Sequence, residues 1–182
     1  MSYRFIGYAI VSEDGMLADA SGTIPPSLIV KADQDFFMRG LDAAAALVHG
    51  RNSAEQPTSP NRRRLIATRG IAATAPVTGQ PNALHWNPKG VSVETALAEL
   101  GVADGDVAII GGTDIFGLFL PSYAIFHLTR VPNVTLPGGL PVFPRVPTVT
   151  PEALLTEAGL SPGKAMALDE SRNVSVVSWQ RS

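Results

Sequence analysis

The chain has 182 residues, 45% of them hydrophobic and 16% charged, with a formal net charge of −2. That length suits one domain, that hydrophobic share fills a sizeable core, and that charge excludes broad nucleic-acid binding, which needs a basic surplus. Cysteine is absent, which removes disulfide frameworks, thiolate zinc sites and thiol catalysis together.

From the N-terminus, Phe5 to Val11 is a continuous apolar run, as expected of a strand covered on both faces. Glu13 and Asp14 follow it too soon for a signal peptide, and no apolar stretch approaches the ~20 residues of a membrane span. The expectation is a soluble, cytoplasmic single domain over 1–182, monomer or homodimer. A long loop, "SEDGMLADASGTIPPS", leads to a helix in "DQDFFMRGLDAAAA", with Phe37, Leu41 and Ala44 on one face and Asp33 suited to its cap. "AALVHG" reads as the second strand, 54–62 as loop, and Arg63 to Thr68 as the third strand. After a Pro/Thr/Ala/Gly-rich loop, "ALHWN" is a short strand candidate. "SVETALAELG" is a helix capped by Ser92 and stopped by Gly101. "DVAIIGG" is a strand, "TDIFGLFL" a helix stopped by Pro121, and Ala124 to Val131 a strand. The tail holds a loop, a helix with Thr150 as cap and Pro151 at its first position, and a last strand from Asn173 to Trp179. This alternation predicts an α/β fold: a mixed, mainly parallel twisted sheet with an antiparallel C-terminal edge and helices on both faces.

Ligands of open α/β sheets bind beyond the carboxyl ends of the strands. Three predicted strand ends carry suitable residues: Gly50-Arg51-Asn52-Ser53, Thr68-Arg69, and Gly111-Gly112-Thr113-Asp114. Glycines let a phosphate or a flat ring approach the backbone, and arginines add charge-assisted bonds. Each end also has a plainer account, as a turn or a solvated arginine; Gly138-Gly139 is a second such pair in a Pro-rich loop. Asp33 is either a helix cap or a carboxylate at the mouth of an apolar pocket beside Phe36 and Phe37, where desolvation raises its pKa. His49, His85 and His127 have no metal-ligand spacing, and His127 reads as packed within a strand. GxSxG, Walker A and GxGxxG patterns are absent.

The order of these pieces resembles the dihydrofolate reductase family from Phe5 to Pro144, most specifically in "IIGGTDIFGLFLPSYAIFHLTRV". The resemblance implies NADPH-dependent hydride transfer to dihydrofolate or a related pteridine. It implies that Asp33 is the acid of the pterin pocket, that Thr129 backs it, and that Phe37 follows as the pocket's aromatic. For the cofactor it implies Ala9, Met16 on a mobile lid, Gly50 to Ser53, Thr68 and Arg69 near the 2′-phosphate, and Ile110, Gly111, Gly112, Thr113, Asp114, Ile115 and Phe116 at the nicotinamide and pyrophosphate. Arg62 matches an arginine that holds the folate glutamate. No tryptophan precedes the acidic helix, and Phe116 stands where a tyrosine is common. "VSEDGMLADASG" also resembles the start of the riboflavin-pathway reductase domain, which implies a ribosylated pyrimidine as the alternative substrate. A non-catalytic ligand-binding relative is a further alternative.

Overall fold

A computed structural model describes residues 2–182. The strands in chain order are β1 (Tyr3–Val11), β2 (Met16–Ala18), β3 (Ala46–Gly50), β4 (Arg64–Ala67), β5 (Thr74–Val77), β6 (Gln80–Trp86), β7 (Gly105–Ile109), β8 (Tyr123–Arg130), β9 (Leu140–Pro141), β10 (Leu160–Pro162), β11 (Met166–Asp169) and β12 (Val174–Arg181). The helices are α1 (Lys31–Ala43), α2 (Val93–Glu99), α3 (Thr113–Leu118) and α4 (Pro151–Glu157). One sheet runs in the order β10-β12-β8-β1-β7-β3-β4-β6-β5, with β11 also on β12; β2 and β9 form a separate pair.

Strands β8, β1, β7, β3, β4 and β6 are mutually parallel, whereas β12, β10, β11 and β5 run against their neighbours. The antiparallel C-terminal edge expected from the sequence is present, and β5 adds one at the other end. The apolar runs of β3 and β7 follow from burial on both faces. Val48, Val107 and Ile109 point into the main core with Leu97 of α2, Phe116 of α3 and Leu155 of α4. The alternate residues Leu47 and Ala108, with Ile110 just beyond β7, pack under Leu41 of α1 on the opposite face. Ser92 and Thr150 cap α2 and α4 by accepting from Thr95 N and Ala153 N, as their positions predict.

Helix α1 differs from expectation. It begins at Lys31; its N-cap is Val30, which makes no side-chain cap bond. Asp33 is therefore inside the first turn and is not the cap. Strands β2, β5, β9, β10 and β11 fall in stretches with no strand pattern in sequence. They are two to four residues long, too short for an alternation to register, and β5 contains Pro76, tolerated because it lies on an edge. Among the described residues no helix is long and apolar enough to cross a membrane.

Candidate functional site

Because β1, β3, β4, β7 and β8 are parallel, their carboxyl ends share one rim. There the turn after β3 meets the turn after β7: Gly50 N donates to Gly111 O at 2.7 Å. A Cβ on Gly112 would lie 3.2 Å from Ser53 Oγ, so the two backbones are close-packed. Ser53 N closes its own turn on Gly50 O at 3.2 Å. Arg69 follows β4 and approaches Asp114 of α3 at 3.5 Å, with both side chains largely exposed. Arg51 and Asn52 are exposed, and no carboxylate among the described residues pairs with Arg51. Thr68 Oγ accepts from Gly70 N at 3.2 Å, turning the chain so that Arg69 faces this rim. The three strand ends singled out in the sequence thus lie side by side.

Gly111 has φ +111, a conformation that side chains rarely adopt. A Cβ there would stand 2.9 Å from Phe116 Cε2. Phe116 is 1% exposed, with its ring against Phe126 at a centroid distance of 5.6 Å. The structure therefore places Phe116 and the buried Ile115 beneath the turn, where they support it, and not on its open side. Ile110 is likewise buried, under α1. Ala9 and Met16 both belong to the main core, Met16 at 2% exposure. The segment expected to be a lid is tied to its neighbours: β2 pairs with β9, Asp14 accepts from Leu136 N at 3.0 Å, and Thr113 Oγ donates to Pro141 O at 2.5 Å. Backbone tethering and a buried methionine are what the sequence, with its Gly- and Asp-rich look, did not display.

The second cluster lies between α1 and the strands β1 and β8. Asp33 is half-buried, and burial raises its pKa; a hydrogen bond from the Thr129 side chain offsets this only in part. Thr129 is 1% exposed and sits opposite Ile10 of β1. Two residues back on the same face of β8, His127 packs its ring on Tyr8 at 4.9 Å and on Phe36 at 5.1 Å. Its Nδ1 meets Ser178 Oγ at 2.8 Å, and burial lowers its pKa to about 4, so it is neutral at physiological pH. Phe37, one turn after Asp33, packs edge-on against Tyr8 at 6.0 Å. The structure places Asp33 beside Thr129, with Phe37 one turn further along the same helix. Tyr8, Phe36 and His127 join them; the available signal was the two-residue spacing of His127 and Thr129 on one strand.

Arg62 is not brought there. Its guanidinium pairs with Asp42 at 2.6 Å and Glu55 at 3.4 Å. Asp42 is in the last turn of α1, about 13 Å along the axis from Asp33 at ~1.5 Å per residue. Glu55 in turn belongs to a buried network that the sequence did not reveal. Its carboxylate takes the fork of Arg64 at 2.7 and 2.5 Å and the N–H of Ser59 at 3.0 Å. Burial works to raise the Glu55 pKa, but these bonds outweigh it and hold it at about 2. A carboxyl depressed in the fold contributes stability above its unfolded pKa and loses it as pH falls through the folded value. The melting temperature should therefore fall as pH drops from about 4.5 towards about 2. Glu55→Gln should flatten that fall and cost about 3 kcal/mol at neutral pH, because Arg64 is left buried and unpaired. Thermal melts of both proteins across this pH range measure it; parallel curves would contradict the assignment.

Among the described residues no group of carboxylates, histidines and cysteines is arranged to hold a metal ion. No family model matches the sequence, and no curated protein matches it. Solved structures do match. The deaminase/5-amino-6-(5-phosphoribosylamino)uracil reductase of Thermotoga maritima aligns at TM-score 0.68 and 15% identity, over 100% of this chain and 57% of that one. Dihydrofolate reductase of Enterococcus faecalis, solved with NADP(H) and RAB-propyl, aligns at TM-score 0.66 and 18% identity, over 98% of this chain and 96% of that one. A pyrimidine reductase-like protein of Corynebacterium diphtheriae aligns at TM-score 0.66 and 14% identity, over 97% and 91%. With its parallel centre, antiparallel edges and one rim of glycine turns, the chain has the fold that dihydrofolate reductase shares with the pyrimidine reductases of the riboflavin pathway.

Proposed function

We propose that the protein is an NADPH-dependent reductase of a nitrogen heterocycle, a pteridine such as dihydrofolate or a related ring. The observation that carries the reading is the joining of two unlike sites on one sheet: a rim of close-packed glycine turns with exposed arginines, and a desolvated carboxylate among aromatic rings. The residues of the rim fit a dinucleotide. Gly50, Gly111 and Gly112 leave no side chain between ligand and backbone, Ser53 and Thr68 offer hydroxyls, and Arg51 and Arg69 offer charge for phosphates. NADPH, when bound, supplies the hydride. Asp33, held by Thr129, orients the ring to be reduced and brings a proton to its nitrogen. Phe36 and Phe37, three and four residues on, stand on the same helix face as that carboxyl.

A ribosylated pyrimidine is the second reading of the substrate. Arg62 favours it, because a guanidinium already held by Asp42 and Glu55 is not free for a folate glutamate. Purified protein should bind NADPH more tightly than NADH. Arg69→Ala or Arg51→Ala should weaken NADPH more than NADH, by about tenfold or more for a charged hydrogen bond worth ~1.5–3 kcal/mol. Equal weakening of both cofactors would remove the 2′-phosphate from this rim. Turnover assays with dihydrofolate, other dihydropteridines and ribosylated pyrimidines then separate the two substrates. Failure to bind NADPH together with no turnover of any of them would overturn the reading.

A further inference from the structure

Beneath the turn Gly50–Ser53 lie three buried polar side chains, His49, Glu55 and Arg64, at 2, 2 and 3% exposure. Their hydrogen bonds form a chain with a direction. Both Glu55 oxygens accept from the Arg64 fork. Arg64 Nη1 lies 3.1 Å from His49 Nε2, and His49 Nδ1 lies 2.7 Å from the carbonyl oxygen of Gly50. A guanidinium only donates, so Nε2 accepts; a carbonyl only accepts, so Nδ1 carries the proton. His49 is thus the neutral Nδ1–H tautomer. The chain ends on Gly50, whose backbone makes two further bonds: its carbonyl oxygen also accepts from Ser53 N, and its N–H, in the preceding peptide group, donates to Gly111 O.

Stability alone does not explain this arrangement. Replacing a buried ion pair with well-packed apolar residues is often neutral or stabilising. The neighbours Leu47, Val48 and Leu65 show what this part of the sheet uses for packing. An apolar residue at position 49 would pack as well but would not donate to Gly50 O. We propose that His49, oriented by the Arg64–Glu55 pair, is a positioning residue that sets the Gly50–Ser53 turn against Gly111-Gly112 and so sets the affinity of the rim for its dinucleotide. The consequence for affinity rests on reading the rim as the NADPH site; the setting of the turn does not.

The test compares His49→Leu, which removes both bonds, with His49→Asn, whose side-chain N–H can replace that of Nδ1. In His49→Leu the amides of Gly50 and Ser53 should exchange with solvent about tenfold faster and NADPH should bind about tenfold more weakly, the loss of one good hydrogen bond. His49→Asn should restore both. A purely structural role would lower the melting temperature while leaving local exchange and the affinity of the folded protein unchanged, and that result overturns the proposal. Weakened NADPH with unchanged exchange overturns it as well. If the wild type binds no NADPH, the reading of the rim fails and amide exchange alone decides whether His49 sets the turn. Should His49→Leu fail to fold, the ¹⁵N shifts of His49 in the wild type decide: a protonated Nε2 contradicts the chain of bonds.

Discussion

Asp33→Asn should lower turnover by about two orders of magnitude or more, the usual range for loss of a general acid, while leaving NADPH affinity nearly unchanged. The same variant should be at least as stable as the wild type at neutral pH. Burial raises the Asp33 pKa, and a carboxyl raised in the fold contributes stability only while protonated. That contribution is complete below its unfolded pKa and is lost as pH rises through the folded one. Ionised Asp33 is therefore a cost to the fold, and a neutral amide of the same shape removes it. Helix α1 loses no cap, since its N-cap is Val30. Steady-state turnover at several pH values, with a melt on the same samples, checks both halves. The wild-type rate should decline as Asp33 ionises at rising pH, and the variant should lack that limb. Undiminished turnover in Asp33→Asn would leave Asp33 without a part in the chemistry.

Gly111→Ala should damage both fold and rim. At φ +111 a side chain is strained, and the added Cβ would press on the buried ring of Phe116 at 2.9 Å. Backbone strain of about 1–3 kcal/mol and overpacking of a similar size add to a few kcal/mol. For a chain of this length the melting temperature should fall by roughly 6–12 °C, at ~2–4 °C per kcal/mol. NADPH should bind at least about tenfold more weakly, because Gly111 O is the acceptor that ties the two turns together. Gly138→Ala is the matched control. Gly138 has φ +71, but a Cβ there meets nothing within 4 Å, so it should lose only the backbone term and leave NADPH binding intact. Equal effects at the two positions would mean that the Gly111 turn carries no special constraint.

The contrast between those glycines marks how far the residues alone could be read. In sequence, Gly111-Gly112 and Gly138-Gly139 are the same dipeptide. The packed Phe116, the bond from Gly50 N to Gly111 O and the close approach of Gly112 to Ser53 distinguish the first of them. Asp33 is a similar case: a residue near a helix start is a cap or a buried acid according to where the first turn begins, and a three-residue shift of the cap, from Asp33 to Val30, decides it. Arg62 reads as a ligand for a carboxylate until Asp42 and Glu55 are found on either side of it. Met16 reads as part of an open loop until β9 pairs with β2 and closes the core over it. Each of these outcomes depends on contacts between residues far apart in the chain.

Much of what local rules govern was legible in the residues themselves. The apolar runs of β1, β3 and β7, the caps Ser92 and Thr150, the stop at Gly101 and the alternation of strand with helix were enough for a parallel α/β sheet and for three strand ends on one rim. Tertiary structure alone decided which side chains on that rim face out and which support it. It also decided the pairing of Arg64 with Glu55 and the proton position on His49. The physical reason is that propensity and periodicity act over a few residues. Burial, hydrogen-bond direction and pKa depend on groups that meet only when the sheet has formed.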